Sequence, residues 1–325
     1  MTAATRNNPA GPALPVDMTE IREQIGRYGA WVSSRALTPE VAPALESAGY
    51  GALWLGSADS ELTGAERALD ATSTLVVATG IVNVWQTDAV SLARAYRRVA
   101  GRHGDRFVLG VGTGHLETFQ QYQQPYETLA GFVDTLLDAG VPATRIVLAA
   151  LGPKVLRLGA ERTAGVHPYL VPPEHTRWAR AEIGAGPLLA PEHKAVLDPD
   201  PERARALGRQ TVERYLGMVN YTANLRRLGF TDDDLAGRGS DRLVDAVIAH
   251  GTADQVAARL DEHLRAGADH VPVQVLGDDL LAGYRTRPQR ASRRLITIRW
   301  IWLVPSKICI TLASRMKRST GKSRV

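Results

Sequence analysis

The sequence has little cysteine, and its C-terminal segment has no acidic side chain. The single cysteine of the 325 residues, Cys309, excludes an internal disulfide and any thiolate cluster for zinc or iron–sulfur. Residues 286–325 hold 11 Lys or Arg and no Asp or Glu, so residues 1–285 have 28 basic against 34 acidic side chains, a net of −6. An acidic body does not support a nucleic-acid-binding surface, and any affinity for polyanions is expected in the basic tail.

Long uninterrupted hydrophobic runs are also missing. The N-terminal segment is small, polar and proline-containing, and it lacks the basic start and apolar core of a signal peptide. The most apolar stretch, residues 295–313, is interrupted by Arg299, Pro305 and Lys307, so a stable membrane span is not expected. These features predict a cytoplasmic protein in which residues 1–24 form a flexible leader.

Short β-rich runs alternate with amphipathic helical stretches along the acidic body. Eight strands separated by helices, in a domain of roughly 250 residues, is the count of a (β/α)8 barrel, whereas a doubly wound sheet more often has fewer strands. The pattern favours an α/β fold of the barrel type with a helical insertion before the last strand, although periodicity alone does not prove closure. The predicted strands cover residues 27–33, 51–56, 73–84, 107–112, 145–151, 165–171, 186–197 and 270–276.

Three glycines follow the fourth predicted strand in the stretch RFVLGVGTGH. The dinucleotide fingerprint G-x-G-x-x-G follows the first strand of its fold and opens a helix directly. Here Gly110, Gly112 and Gly114 have another spacing, follow another strand and precede a long polar loop, so that fingerprint is rejected. Gly112 and Gly114 are expected to let the backbone approach a flat ligand at the carboxyl end of a barrel strand. Gly110 is equally explained by close packing of strands.

The motifs at the predicted strand ends occur in a specific order along residues 25–285. They include RYGAWVSS, ESAGYGALWLG, ATGIVNVW, RFVLGVGTGH and GTADQVAARLDEHLRAGADHVPVQVL. Together they resemble the bacterial luciferase-like superfamily, and within it the actinobacterial-type LLM-class oxidoreductases that use the deazaflavin coenzyme F420. The resemblance implies a luciferase-like TIM barrel over residues 25–285. The cofactor would lie across the carboxyl ends of the strands, where it would exchange a hydride with a small organic substrate.

The resemblance also implies cofactor contacts, residue by residue. Family members have a non-prolyl cis peptide bond after the third strand, and its bulge supports the middle ring of the deazaflavin. The matching bond here joins Gly80 and Ile81, and Asn83 would contact the ring system. Further contacts are expected from Thr113, Gly114 and His115, from Ala149, Ala150, Leu151 and Gly152 and, with weaker support, from Gly165 to His167.

Three residues are candidates for catalysis. His115 follows the glycines at a strand end and titrates near neutrality, which suits proton transfer beside a hydride step, although it is equally explained as a group that holds the cofactor. Trp54 and Asp59 match positions where relatives shape the site; their ordinary explanations are core packing and a loop cap. The spacing of His167, Glu174 and His175 fits no metal-ligand motif, so no metal is expected.

Two questions stay open at this stage. The cofactor could instead be FMN, in a luciferase-like monooxygenase, or the barrel could bind a flavin without catalysis; relatives are commonly dimers, so a homodimer is possible. Residues 286–325 have no family likeness. Either a shifted reading frame accounts for this segment, or the segment binds a membrane surface or a partner. Substrate identity and the direction of hydride transfer are not predicted.

Overall fold

The chain alternates between strands and helices throughout the part that the structure describes. A computed structural model describes residues 18–115, 124–277 and 280–285. The strands are β1 (Tyr28–Ser33), β2 (Ala52–Gly56), β3 (Val76–Thr79), β4 (Val82–Asn83), β5 (Phe107–Gly112), β6 (Ile146–Leu148), β7 (Gly165–Val166), β8 (Leu188–Leu189), β9 (His193–Val196), β10 (Ile248–His250) and β11 (Val271–Val275). The helices are α1 (Thr19–Ile25), α2 (Val41–Ser47), α3 (Thr63–Asp70), α4 (Ala89–His103), α5 (Pro125–Asp138), α6 (Pro153–Arg162), α7 (Pro173–Ile183), α8 (Pro201–Leu216), α9 (Val219–Arg227), α10 (Asp232–Leu235), α11 (Asp241–Val247), α12 (Ala253–Arg265) and α13 (Leu280–Arg285).

The strands form one parallel sheet that curves into a barrel. Its order is β10-β9-β11-β1-β2-β3-β5-β6-β7-β8, and β4 pairs with β5. Strands β8 and β9 lie in one segment, residues 188–196, which closes the barrel because it pairs with both β7 and β11. Leu188 of β8 lies beside Gly165 of β7, and His193 of β9 lies beside Val273 of β11. Parallel strands joined by crossover helices require this layering, with the helices outside the strands. The predicted (β/α)8 fold is confirmed.

Helix α1 closes the amino-terminal end of the barrel. Met18, Ile21 and Ile25 are almost fully buried and pack in one cluster with interior residues that include Trp54. Their spacing of three and four residues is that of one helix face, so burying this face stabilises the helix by the removal of apolar surface from water. The flexible leader predicted over residues 1–24 thus overlaps a helix that begins at Thr19, and Met18, Ile21 and Ile25 belong to the core.

The barrel interior contains two tryptophans side by side. Trp31 of β1 is the register partner of Trp54 of β2, which in turn pairs with Ala78 of β3. The alternate residues, such as Leu53 and Leu55, point outward and pack in the cluster between the strands and helices α2 to α5. Full burial of a Leu side chain stabilises the fold by about 1.5–3 kcal/mol, so this outer layer holds the helices on the barrel.

The helical insertion comprises α8 to α11 and has its own hydrophobic cluster. It confirms the predicted insertion before the last strand, but it ends in β10, a strand that the sequence analysis did not predict. The Thr252–Gln255 capping box forms at the start of α12 as its sequence indicates. The predicted tail, residues 286–325, lies outside the described residues.

Several predicted strands are shorter in the structure. The third, residues 73–84, is divided into β3 and β4 at Gly80 and Ile81. The sixth, residues 165–171, is a strand only at Gly165–Val166. Pro168 follows soon after β7 and cannot donate a hydrogen bond to a ladder, which accounts for the early end of this strand.

Candidate active site

The carboxyl ends of β1 to β7 surround a half-buried peptide bond between Gly80 and Ile81. This bond is cis, as the resemblance implies. The Gly80 N–H donates to the Leu55 carbonyl over 2.7 Å, and the Ala58 N–H donates to the Ile81 carbonyl over 3.3 Å. The bond is thus held against the end of β2, and both residues remain partly exposed.

Two buried polar atoms converge on Gly80. A β-carbon on this glycine would lie 3.0 Å from Trp31 Nε1 and 3.1 Å from His167 Nε2. Trp31 is 7% exposed and His167 is 1% exposed, yet neither nitrogen has a hydrogen-bond partner among the described residues. Leaving a buried polar group unpaired costs about 1–3 kcal/mol, so these two nitrogens are exceptions to the usual pairing of buried polar groups.

The protonation state of His167 follows from its surroundings. Burial lowers the pKa of His167 to about 4, so the imidazole is neutral at pH 7. Its Nδ1 lies 2.7 Å from the Ala190 carbonyl, which can only accept, so Nδ1 donates and Nε2 is an acceptor. Trp54 stacks on the His167 ring at 4.3 Å, which fixes its orientation. Gly80 therefore faces one donor, the Trp31 N–H, and one acceptor, His167 Nε2.

The glycines of β5 serve different purposes. A β-carbon on Gly110 would lie 1.9 Å from the Thr79 carbonyl oxygen, so Gly110 is small because the strands pack closely. A β-carbon on Gly112 would lie 2.8 Å from Ala149 Cβ and 3.4 Å from Ile81 Cδ1. Gly112 thus lets β5, Ile81 and the end of β6 approach each other beside the cis bond. Gly114 has a φ of 59°, a left-handed conformation that glycine adopts without strain.

Asn83 and Thr113 hold the loop at the site through Trp85. The Trp85 backbone N–H donates to Asn83 Oδ1 over 2.9 Å, and its indole N–H donates to the Thr113 carbonyl over 2.7 Å. Trp85 therefore connects the ends of β4 and β5. Asn83 is half-buried, and its described side-chain bond leaves the amide nitrogen available to a ligand.

His115 contacts the helical insertion. Its ring lies 5.4 Å from Tyr221 and 6.1 Å from Tyr215, and Asn220 Nδ2 lies 3.4 Å from His115 Nδ1. With Asn220 as donor, a neutral His115 carries its proton on Nε2. The insertion thus places two phenols and an amide next to the predicted catalytic histidine.

The end of β6 forms the opposite edge of the site. Ala150 is buried and Leu151 is half-buried; the Leu151 carbonyl accepts from His175 Nε2 and from an Arg227 guanidinium nitrogen. Gly152 begins helix α6, and a β-carbon on it would meet no atom within 4 Å. These residues lie at the rim of the barrel, at the end of β6 and the start of α6.

The structure does not bring Asp59 and Trp54 to the open part of the site. Asp59 is exposed, and its carboxylate accepts from the Thr63 N–H (3.0 Å) and hydroxyl (3.2 Å) at the start of α3. Trp54 is 1% exposed and donates its indole N–H to His270 Nε2 over 3.0 Å. The ordinary explanations, a cap and core packing, account for the contacts of both residues. Trp54 reaches Gly80 only through His167.

Sequence reasoning missed a charged pair inside the barrel. Glu192 and Lys194 are fully buried, with Nζ 2.8 Å from Glu192 Oε1, and Lys194 Nζ lies 3.8 Å from the centre of the Tyr169 ring. Their spacing of two residues in a strand-like run places both side chains on one face, which is a signal that the sequence offered. Tyr169 in turn contacts Trp31 at 5.3 Å and Tyr215 at 5.4 Å.

The sequence predicts neither a metal site nor a stable membrane span. Within residues 18–115, 124–277 and 280–285, no group of three or more His, Cys, Asp or Glu side chains could hold a metal ion. The helices in these same ranges include none with the length and apolarity needed to cross a membrane.

The carboxyl-terminal rim of this parallel α/β barrel thus contains a buried donor, Trp31 Nε1, and a buried acceptor, His167 Nε2, that have no partner among the described residues. The family model for luciferase-like monooxygenases matches residues 121–270, which confirms the resemblance to the luciferase-like superfamily. No curated protein matches the sequence.

Solved structures with the same fold include enzymes with two kinds of cofactor. An F420-dependent secondary alcohol dehydrogenase in complex with an F420–acetone adduct is 14% identical, with a TM-score of 0.64 over 80% of this chain and 96% of that chain. The F420-dependent tetrahydromethanopterin reductase of Methanopyrus kandleri is 15% identical, with a TM-score of 0.57 over the same shares. The oxygenating constituent of 3,6-diketocamphane monooxygenase of Pseudomonas putida, in complex with FMN, is 12% identical, with a TM-score of 0.56 over 80% and 95%. At these identities the similarity shows the fold alone.

Proposed function

We propose that this protein is an oxidoreductase that uses coenzyme F420 and passes a hydride between the deazaflavin and a small organic substrate. When bound, the deazaflavin supplies the carbon that donates or accepts the hydride. The single observation that best supports the proposal is the pair of unpartnered groups at Gly80. Flavin and deazaflavin rings have carbonyl and N–H groups side by side on one edge, which suits the Trp31 donor and the His167 acceptor.

The chain's own residues would bind and orient the ring. Gly80 and Ile81 would support one face, because Gly112 lets β5 approach them without a side chain. The Asn83 amide, the backbone at Thr113 and Gly114, and the segment from Ala150 to Gly152 would contact its edges. His115 would hold or move a proton at Nε2, since Nδ1 faces Asn220. Tyr215 and Tyr221 of the insertion lie beside His115 and would help to exclude water from the reacting groups, which suits hydride transfer.

An FMN-dependent monooxygenase is the second candidate. The matching family model describes luciferase-like monooxygenases, and one structure with this fold binds FMN. The donor and acceptor pair at Gly80 suits both ring systems, so it does not separate them.

Anaerobic titration of the purified chain with F420 and with FMN separates the candidates. We expect F420 to bind in the micromolar range, with a change in its absorbance and quenching of tryptophan fluorescence from Trp31. Binding of FMN without binding of F420 would favour the monooxygenase. Binding of neither would refute both.

A further inference from the structure

The buried charges of Glu192 and Lys194 have no part in the cofactor contacts described above. Moving a charge out of water costs several kcal/mol per ion, so a fully buried pair seldom contributes to stability relative to well-packed apolar residues. The two side chains are 0% exposed and 2.8 Å apart. Their surroundings indicate what they hold in place.

Both members of the pair act on Tyr169 and the turn next to it. Lys194 Nζ lies over the Tyr169 ring at 3.8 Å, within the range of a favourable cation–π contact. Glu192 Oε2 accepts from the Leu170 N–H over 3.1 Å, and the Glu192 N–H donates to the Pro168 carbonyl over 2.8 Å.

Leu170 shows that this turn needs such support. Its φ is 53°, a left-handed conformation that is uncommon for a residue with a β-carbon and persists where the surroundings impose it. Glu192 bonds on both sides of Tyr169, to Pro168 and to Leu170. The Lys194 ammonium therefore fixes the Tyr169 ring. Glu192 fixes the backbone on either side of Tyr169, through its carboxylate at Leu170 and its N–H at Pro168.

The fixed phenol stands at the mouth of the barrel. Tyr169 is half-buried and contacts Trp31 on the side of Gly80 and Tyr215 on the side of the insertion. Burial raises the pKa of Tyr169 well above 10, so the hydroxyl keeps its proton. The hydroxyl donates to Gln274 Oε1 over 3.0 Å at the open end of β11. A half-turn of the Gln274 amide would present Nε2 to this oxygen and release the hydroxyl hydrogen to another acceptor.

We propose that Tyr169 is the hydrogen-bond donor to the oxygen of a carbonyl or alcohol substrate, and that Glu192 and Lys194 are positioning residues that hold it. The inference rests on the proposed function, because a hydride that reaches a carbonyl carbon leaves negative charge on the oxygen. A fixed donor at that oxygen stabilises the charge without reorganisation. In the structure the hydroxyl instead donates to Gln274 Oε1.

The probe is 4-(dimethylamino)cinnamaldehyde, whose visible absorbance moves to longer wavelength when its carbonyl oxygen accepts a strong hydrogen bond. It is added to the chain loaded with the oxidised cofactor that binds in the titration, and difference spectra are recorded. We expect a red shift with the wild-type chain and loss of most of it with Tyr169→Phe. Tyr96→Phe, which removes a buried hydroxyl between α4 and the strands, should leave the shift unchanged.

The positioning pair is tested with a neutral double variant, Glu192→Gln with Lys194→Met. Gln keeps an acceptor for the Leu170 N–H, so the variant is expected to fold, but the cation over the Tyr169 ring is removed. We expect an intermediate shift and a cofactor affinity within about twofold of the wild type, a change of under 0.5 kcal/mol.

Failure of the proposed function and failure of the role of Tyr169 give different results. If the wild-type chain binds neither F420 nor FMN, the proposed function fails and this inference loses its basis. If a cofactor binds but the probe gives no shift, or gives the same shift with Tyr169→Phe, the role of Tyr169 is refuted while the proposed function stands. An unchanged shift in the double variant alone would refute the positioning role of Glu192 and Lys194.

Discussion

Trp31 Nε1 and His167 Nε2 lie 3.0 and 3.1 Å from the point that a β-carbon would occupy on Gly80. One is a donor and the other an acceptor, and both are buried without a partner in the described structure. Their unmet hydrogen bonds cost stability, which makes the two nitrogens the first place to test the proposed cofactor site.

A methyl group on Gly80 should fill the space next to the two nitrogens. We expect Gly80→Ala to weaken binding of the cofactor at least tenfold and to lower the free energy of unfolding by about 1–3 kcal/mol through overpacking. Gly101→Ala is the matched control, because a β-carbon there meets no atom within 4 Å in helix α4. The control should leave cofactor affinity unchanged in the same titration. Equal affinities for all three chains would show that Gly80 does not face the ligand.

Replacing Trp31 by Phe removes the donor and keeps an aromatic ring. We expect Trp31→Phe to raise the cofactor Kd by about 3–10-fold, the equivalent of one hydrogen bond of roughly 0.5–1.5 kcal/mol. The smaller ring destabilises the fold, but the variant also no longer buries an unpaired N–H. Without ligand, the free energy of unfolding should therefore fall less than when a tryptophan with a hydrogen-bonded N–H is replaced. Trp54→Phe provides that comparison, because its N–H is bonded to His270. A larger loss of stability for Trp31→Phe than for Trp54→Phe would contradict the unpaired state.

The sequence allowed prediction of the barrel because each of its strands and helices is locally patterned. The short β-rich runs and the capping box at Thr252 are properties of neighbouring residues, and both appear in the structure. The cis bond at Gly80 and Ile81 was expected from the resemblance and could not have come from composition or periodicity. Helix α1 was missed, although Met18, Ile21 and Ile25 have helical spacing, because a polar leader precedes it without a cap.

The site was less predictable because its residues meet only in three dimensions. Trp31, His167 and Tyr169 come from β1 and from the segment after β7, and nothing local to any of them indicates that they share one surface. Glu192 and Lys194 lie in the predicted seventh strand, residues 186–197, but nothing in the sequence indicates that both are buried inside the barrel. For Asp59, the sequence left open whether it is a cap or a catalytic group. The structure distinguishes the two, because it places the carboxylate beside the Thr63 N–H.

Asp59 should matter for stability and not for binding. Its carboxylate accepts from the Thr63 N–H and hydroxyl, so Asp59→Ala should lower the free energy of unfolding by about 0.5–2 kcal/mol, the usual cost of a lost helix cap. We expect an unchanged cofactor Kd. Glu61→Ala, at an exposed neighbouring position, should change neither quantity. A large rise in Kd with normal stability in Asp59→Ala would support the catalytic interpretation after all.

Buried neutral histidines should make the fold sensitive to mild acid. Burial lowers the pKa values of His167, His175 and His270 to about 4 and that of His193 to about 3, and it lowers that of His263 well below 6.5. Between these values and about 6.5, the unfolded chain binds more protons than the folded chain, so stability is lost as the pH falls through this window. At pH 7.5 the histidines are largely unprotonated in both states, so their contribution no longer changes with pH there.

Urea denaturation at pH 7.5, 6.5 and 5.5 measures this effect. Each histidine contributes a slope of up to about 1.4 kcal/mol per pH unit below its unfolded pKa. We expect the slope to be smaller by up to this amount in His270→Gln, which removes one of the buried imidazoles. A free energy of unfolding that is the same at pH 7.5 and 5.5 would show that these histidines are not buried in the neutral form.

Removing one charge of the buried pair should be worse than removing both. Lys194→Met leaves the Glu192 carboxylate in the barrel without its partner, and breaking such a pair costs about 3–5 kcal/mol. The double variant with Glu192→Gln has no buried charge, so we expect its free energy of unfolding to be higher than that of Lys194→Met and close to the wild type. Arg203→Met, which breaks exposed pairs with Asp198 and Asp200, is the control and should leave the free energy of unfolding nearly unchanged. If the single and double variants at positions 192 and 194 were equally unstable, the cost would come from lost packing around Tyr169 and not from an unpaired charge.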